Sequence, residues 1–98
     1  MNTILIIDSL LKVIKKSSYH EQEWIKKIIL NLSINLEQGK PLRYNWLREK
    51  KFHDKRLLYI IDFQKEKGLI IAYKNKKKQQ ETIDYIIKNK KEFFSYLD

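Results

Sequence analysis

The sequence predicts an α+β fold: a short N-terminal strand, two helices, a three-stranded antiparallel meander completing one sheet, and a C-terminal helix. Three observations predict it. Apolar residues recur at helical spacing as far as Leu36, and Gly39 and Pro41 then break the pattern. From Trp46 to Tyr73 the pattern changes to runs rich in Leu, Ile and aromatic residues, separated by turn-forming stretches. Helical spacing returns from Gln79 to Leu97.

Thr3 to Ile7 is a β-branched run that suits a buried strand, and Asp8 or Ser9 offers an N-cap for a helix reaching about Lys16. A single helix from Thr3 to Lys16 is the alternative. Leu10, Leu11, Val13 and Ile14 form its apolar side, with Lys12, Lys15 and Lys16 facing out. Ser18 with Glu21 three residues later is a capping-box pattern, in which each side chain satisfies the other's free backbone N–H and starts a second helix. Trp24, Ile25, Ile28, Ile29, Leu32 and Leu36 give that helix one apolar face. Gly39 supplies a left-handed C-terminal residue, and Pro41 cannot continue a helix.

After Pro41, Trp46 and Leu47 open a short strand, His53-Asp54-Lys55 turns the chain, and Arg56 to Phe63 forms a longer strand. Lys65 to Gly68 makes the next turn, with Gly68 able to take a positive φ, and Leu69 to Tyr73 closes the meander. Ile83, Ile86, Ile87, Phe94 and Leu97 fall on one stripe of the last helix. Trp46, Leu57, Tyr59, Ile61 and Tyr73 are expected in the core, and Tyr44 in its polar loop is freer to meet a ligand.

Ninety-eight residues with 43% apolar content suit one domain, residues 1–98. The absence of cysteine rules out disulfides, thiolate metal sites and cysteine nucleophiles, and two isolated histidines do not suggest zinc. The run Ile4 to Ile7 is too short for a membrane span or a signal-peptide core, which makes cytoplasmic the default location. The net charge is +9, and +8 of it falls from Lys40 onward, where sixteen lysines and arginines face eight acids. Such asymmetry points to a phosphate-bearing or acidic partner. The strongest concentration runs from Trp46 through Lys74 to Lys78, with cations at the mouths of strands.

Three segments together resemble one family. G-K-P-L at Gly39 to Leu42, L-R-E-K-K-F-H-D-K-R-L-L-Y-I-I from Leu47 to Ile61 and K-K-K-Q-Q-E-T-I-D-Y-I from Lys76 to Ile86 are similar to the RelE/ParE toxin superfamily of toxin–antitoxin modules. Archaeal-type members, with Lys-Lys-x-Gln-Gln after the last strand, are the most similar. The resemblance implies a toxin that cuts messenger RNA on the ribosome without metal or cofactor, through attack of a 2′-hydroxyl on the adjacent phosphate. It equally implies a cognate acidic, partly disordered antitoxin. A ParE-like gyrase inhibitor without catalysis, or a basic nucleic-acid-binding module, are the other readings.

Residue by residue, Arg56 matches the arginine that opens the family's third strand, and arginine suits a phosphorane because it stays ionised and presents a planar fork of donors. Lys77 and Lys78 stand where the family places a basic residue after the last strand, and Tyr85 stands near its tyrosine on the terminal helix. Arg43, Arg48, Lys50, Lys51 and Lys76 are the candidates for gripping the RNA backbone. In an extended strand Arg48 and Lys50 share one face and Lys51 points the other way. His53 beside Asp54 could exchange protons near neutral pH, but a turn histidine is more often simply exposed.

Overall fold

Leu57 to Ile61 is an unbroken apolar run, and a strand with no polar alternation must be covered on both faces. A computed structural model describing residues 1–98 places that run at the centre of a five-stranded sheet. The strands are β1 (Thr3–Ile6), β2 (Lys40–Leu42), β3 (Tyr44–Phe52), β4 (Lys55–Asp62) and β5 (Lys67–Asn75), in the spatial order β1-β5-β4-β3-β2. β1 runs parallel to β5, and the other neighbours are antiparallel.

The helices α1 (Asp8–Lys15) and α2 (Tyr19–Ile34) cover one face, and α3 (Gln79–Lys88) and α4 (Lys90–Ser95) cover the other. Leu57, Tyr59 and Ile61 pack against Leu10, Ile25, Ile28 and Leu32, whereas Leu58 and Ile60 pack against Ile83, Ile86, Phe93 and Leu97. The predicted α+β class and meander are the observed ones. No helix is long and apolar enough to cross a membrane.

Several local expectations are corrected. β1 is an edge strand with alternating burial, not a buried one, and its pairing with β5 rules out a continuous first helix. The α1 N-cap is Ile7, without a side-chain cap, and Asp8 is the first helical residue. The Ser18–Glu21 capping box forms as read, with Ser18 Oγ accepting from the Glu21 N–H at 3.2 Å and Glu21 accepting from the Ser18 N–H at 3.1 Å. Pro41 sits in the extra strand β2, at the sheet edge where a missing N–H is tolerated. β3 is nine residues long, not short. Trp46 is only half-buried, stacked on Tyr44 at 5.3 Å and edge-on to Phe94 at 5.5 Å. The last helix breaks at Asn89, so that Phe93 and not Phe94 turns inward.

Glycine acts through space here, not through φ. Gly39 is extended, with φ −74°, and a Cβ there would stand 2.7 Å from the Tyr59 hydroxyl oxygen and 2.8 Å from the Glu49 carbonyl oxygen. Gly68 lies within β5, and the left-handed turn residue before it is Glu66. Each hairpin turn holds one such residue, Arg43, His53 or Glu66, and none is glycine. Tyr59 and Arg48 then hold the crossing from α2 to β2. The Tyr59 hydroxyl donates to the Leu36 carbonyl at 2.6 Å and accepts from the Gly39 N–H at 2.9 Å, and burial pushes its pKa up.

Candidate functional site

β3, β4 and β5 end in a row of cations. Lys51 is directly opposite Arg56, and Arg56 is directly opposite Lys74. Like charges in register across strands destabilise a sheet, and none of these three takes part in any of the five ion pairs. The chain leaving β5 is tied over this row by the Lys76 N–H, which donates to the Asp54 carbonyl of the β3–β4 turn at 2.8 Å. That bond brings Lys76 beside Arg56.

The result is a groove of about 330 Å³. Lys40, Lys51, Arg56 and Lys76 supply its charge, Gln79 and Gln80 its α3 wall, and Glu49 its one carboxylate. Glu49 is 6% exposed and accepts a hydrogen bond from the Gln79 amide. The first turn of α3 has no side-chain cap, and the three lysines before it oppose the positive end of the helix dipole. An anion bound in the groove would relieve Lys51, Arg56 and Lys76 and meet the uncapped first turn of α3 together. The only acceptor-only side chain on the groove wall is Glu49, which could take a proton from a bound hydroxyl.

Arg56 is half-buried, and its Nη1 donates to the carbonyls of His53 at 2.9 Å and Lys55 at 3.0 Å. These bonds aim the guanidinium while leaving most of its donors for a ligand. Arg48 is placed quite differently. It is 6% exposed, on the α2 face, and donates to the carbonyls of Glu37, Gly39 and Asn45 at 2.9 to 3.0 Å and to the Asn45 side chain. It has no free fork to offer. Lys50 also faces α2, as the alternation on β3 requires.

Lys77 and Lys78 are exposed in a single 3₁₀ turn and do not line this groove; Lys78 borders a separate hollow with Lys74 and Tyr85. Tyr85 is 58% exposed and does not line the Arg56 groove; it borders the hollow with Lys74 and Lys78 and lies edge-on to Phe93 at 6.0 Å. Arg43 is exposed, with φ 63°, and lies 3.8 Å from Asp84. His53 is exposed in its turn, edge-on to Phe52 at 4.6 Å. No three metal-ligating side chains come together.

Glu49, Lys40, Gln79 and Gln80 were missed by the sequence reading. The signal for Glu49 is its place between Leu47 and Lys51 on one face of β3, which shows only once that strand is extended to Phe52.

This architecture matches solved structures closely. A variant of Escherichia coli toxin RelE with two arginines replaced by alanine, in the free state, superposes with a TM-score of 0.70 at 16% identity, covering 87% of this chain and 97% of that one. The same variant in complex with an antitoxin RelBc peptide gives 0.67 at 16% identity over 83% and 93%. The toxin–antitoxin complex RelBE2 from Mycobacterium tuberculosis gives 0.64 at 22% identity over 76% and 98%. The chain has the RelE toxin fold. No protein-family model and no curated protein matches the sequence, so the likeness to RelE is one of architecture. On this RelE fold, the cation row and Glu49 lie on the sheet face covered by α3.

Proposed function

We propose that the protein is the toxin of a toxin–antitoxin pair and a ribonuclease that cleaves messenger RNA on the ribosome, in the cytoplasm. The observation that carries this reading is the groove in which Lys40, Lys51, Arg56 and Lys76, none of them in an ion pair, surround buried Glu49 on a RelE fold. The groove takes a phosphodiester whose non-bridging oxygens meet the Arg56 fork and the lysine ammoniums. Glu49 accepts the proton of the 2′-hydroxyl, the 2′-oxygen bonds to phosphorus, and the bond to the 5′-oxygen breaks. The leaving oxygen takes a proton from Lys51 or Lys76, giving a cyclic 2′,3′-phosphate and a 5′-hydroxyl. Charge grows on the phosphorane oxygens, and donors held there in advance accelerate the step. Lys77, Lys78 and Tyr85 stand outside this groove and in this reading meet the ribosome or more distant RNA.

The antitoxin is an acidic, partly disordered chain that neutralises the cations. Its apolar anchor is the hollow of about 430 Å³ between α1 and α3–α4, where Leu10, Val13, Ile86, Phe93 and Tyr96 meet. The neighbours from E. coli and M. tuberculosis seen with antitoxins support this partner class.

Induced expression should arrest growth and create new messenger RNA 5′ ends, and Arg56→Ala should cut cleavage about 10²-fold, the usual cost of losing one transition-state donor. Intact messages with broken DNA would place the protein among gyrase poisons instead.

A further inference from the structure

A second basic groove, of about 490 Å³, lies on the other side of β3, between that strand and α2. Lys27 and Asn31 line it from successive turns of α2, and Lys50 lines it from β3. Lys40, Glu49 and Lys51 border both grooves. The two are therefore joined, and β2 explains how. It is three residues long and pairs with β3 only as far as Glu49, so from Lys50 to Phe52 the outer edge of β3 has no strand beside it. A flexible strand can pass from one face to the other across that edge.

We propose that single-stranded RNA held in the α3-side groove continues over the free edge of β3 at Lys40 and Lys51. Its next phosphates lie against Lys50 and Lys27 on the α2 side. The inference rests on reading the α3-side groove as the RNA site. Charge supports it, because none of Lys27, Lys40, Lys50 and Lys51 is in an ion pair. The lining favours a polyanion over a protein helix, since Trp24 and Ile28 are its only apolar members. Trp24 packs against Phe52 at 5.1 Å and Tyr73 at 6.2 Å, so it forms a wall and not a free stacking platform. Recognition is then by backbone charge, without sequence preference.

The test is anisotropy titration of 2′-O-methyl RNA, which lacks the attacking hydroxyl, at several salt concentrations with strands of about 4 and about 12 nucleotides, bracketing one site and an extended one. Lys27→Ala/Lys50→Ala should weaken the long strand several-fold and lower its salt slope by about 1.4, at ~0.7 per phosphate contact for single strands. The short strand should bind as before, and Lys27→Arg/Lys50→Arg should restore the long one. Equal loss for both strands, no loss for either, or no binding of the long strand by the unsubstituted protein overturns the track. Growth arrest is a separate readout. If Arg56→Ala still relieves arrest while the length dependence is missing, the second groove alone is refuted. If Arg56→Ala leaves messenger RNA cleavage unchanged, the primary reading falls whatever the binding shows.

Discussion

Arg48 and Arg56 sit on adjacent strands of one sheet and do opposite work. Arg48 is sealed on the α2 face by three backbone carbonyls, the Asn45 side chain and the Glu37 carboxylate at 3.5 Å, and Arg56 opens on the α3 face with no acid near enough to pair. The first arginine holds the chain where it leaves α2, and the second is left with charge to spend on a ligand. What separates them is which face of the pleat each strand position presents and what covers it. β3 repeats the contrast within itself, with Arg48 and Lys50 facing α2 and Glu49 and Lys51 facing the candidate site.

The contrast breaks most visibly in stability. Arg48→Ala leaves the buried Gly39 carbonyl and the part-buried Glu37 carbonyl short of a donor and breaks the Arg48–Glu37 ion pair, at about 3 kcal/mol together, which in a chain of this size lowers Tm by roughly 12–24 °C. Arg56→Ala loses only hydrogen bonds to half-exposed turn carbonyls and should cost under about 0.5 kcal/mol. Urea denaturation of the two variants measures both values. Equal losses would show that the two arginines are not divided between structure and site. A smaller effect is expected one bond away. Gly39→Ala forces a methyl into the Tyr59 hydroxyl and the Glu49 carbonyl, for about 2 kcal/mol. Because Glu49 belongs to the groove, this variant should also lower cleavage, whereas Arg56→Ala should lower cleavage alone.

These assignments were unevenly legible in the sequence. Periodicity and capping chemistry are local, and they placed the start of α2 and the order of the meander strands and the closing helical segment, but not the length of β3 or the break at Asn89. The strand β2 was hidden because Lys40-Pro41-Leu42 has no alternation and a proline, and only its partner β3 makes it a strand. Arg48 was read as a phosphate ligand because nothing within a few residues announces the carbonyls of Glu37 and Gly39, which reach it through the crossover from α2. Glu49 was missed for the same reason, since its meaning comes from Lys40, Arg56 and Gln79, on three other elements. The resemblance placed Arg56 correctly at the mouth of a strand, but which lysine joins it there depends on one backbone hydrogen bond, from Lys76 to Asp54.

The smallest effect sharpens the comparison between faces from the α2 side. Tyr73 is buried there, and its hydroxyl faces the Glu21 carboxylate without a hydrogen bond of normal geometry. Lys55 lies 5.2 Å above its ring and reaches Glu21 at 2.7 Å, which holds the Glu21 carboxyl below its usual pKa. Burial first, and then the Glu21 charge, push the Tyr73 pKa up. Removing an unpartnered buried hydroxyl restores its desolvation cost, so Tyr73→Phe should be neutral to stabilising by about 0.5 kcal/mol at neutral pH. The sign in alkali follows from linkage. Above the ordinary tyrosine pKa of 10.0 the unfolded chain releases this proton while the folded chain keeps it, so stability falls as pH rises. The variant has no such proton, and its advantage should widen above that pH in denaturation curves. A constant gap would mean that Tyr73 ionises as easily in the fold as outside it, and that this face tolerates charge as readily as the groove does.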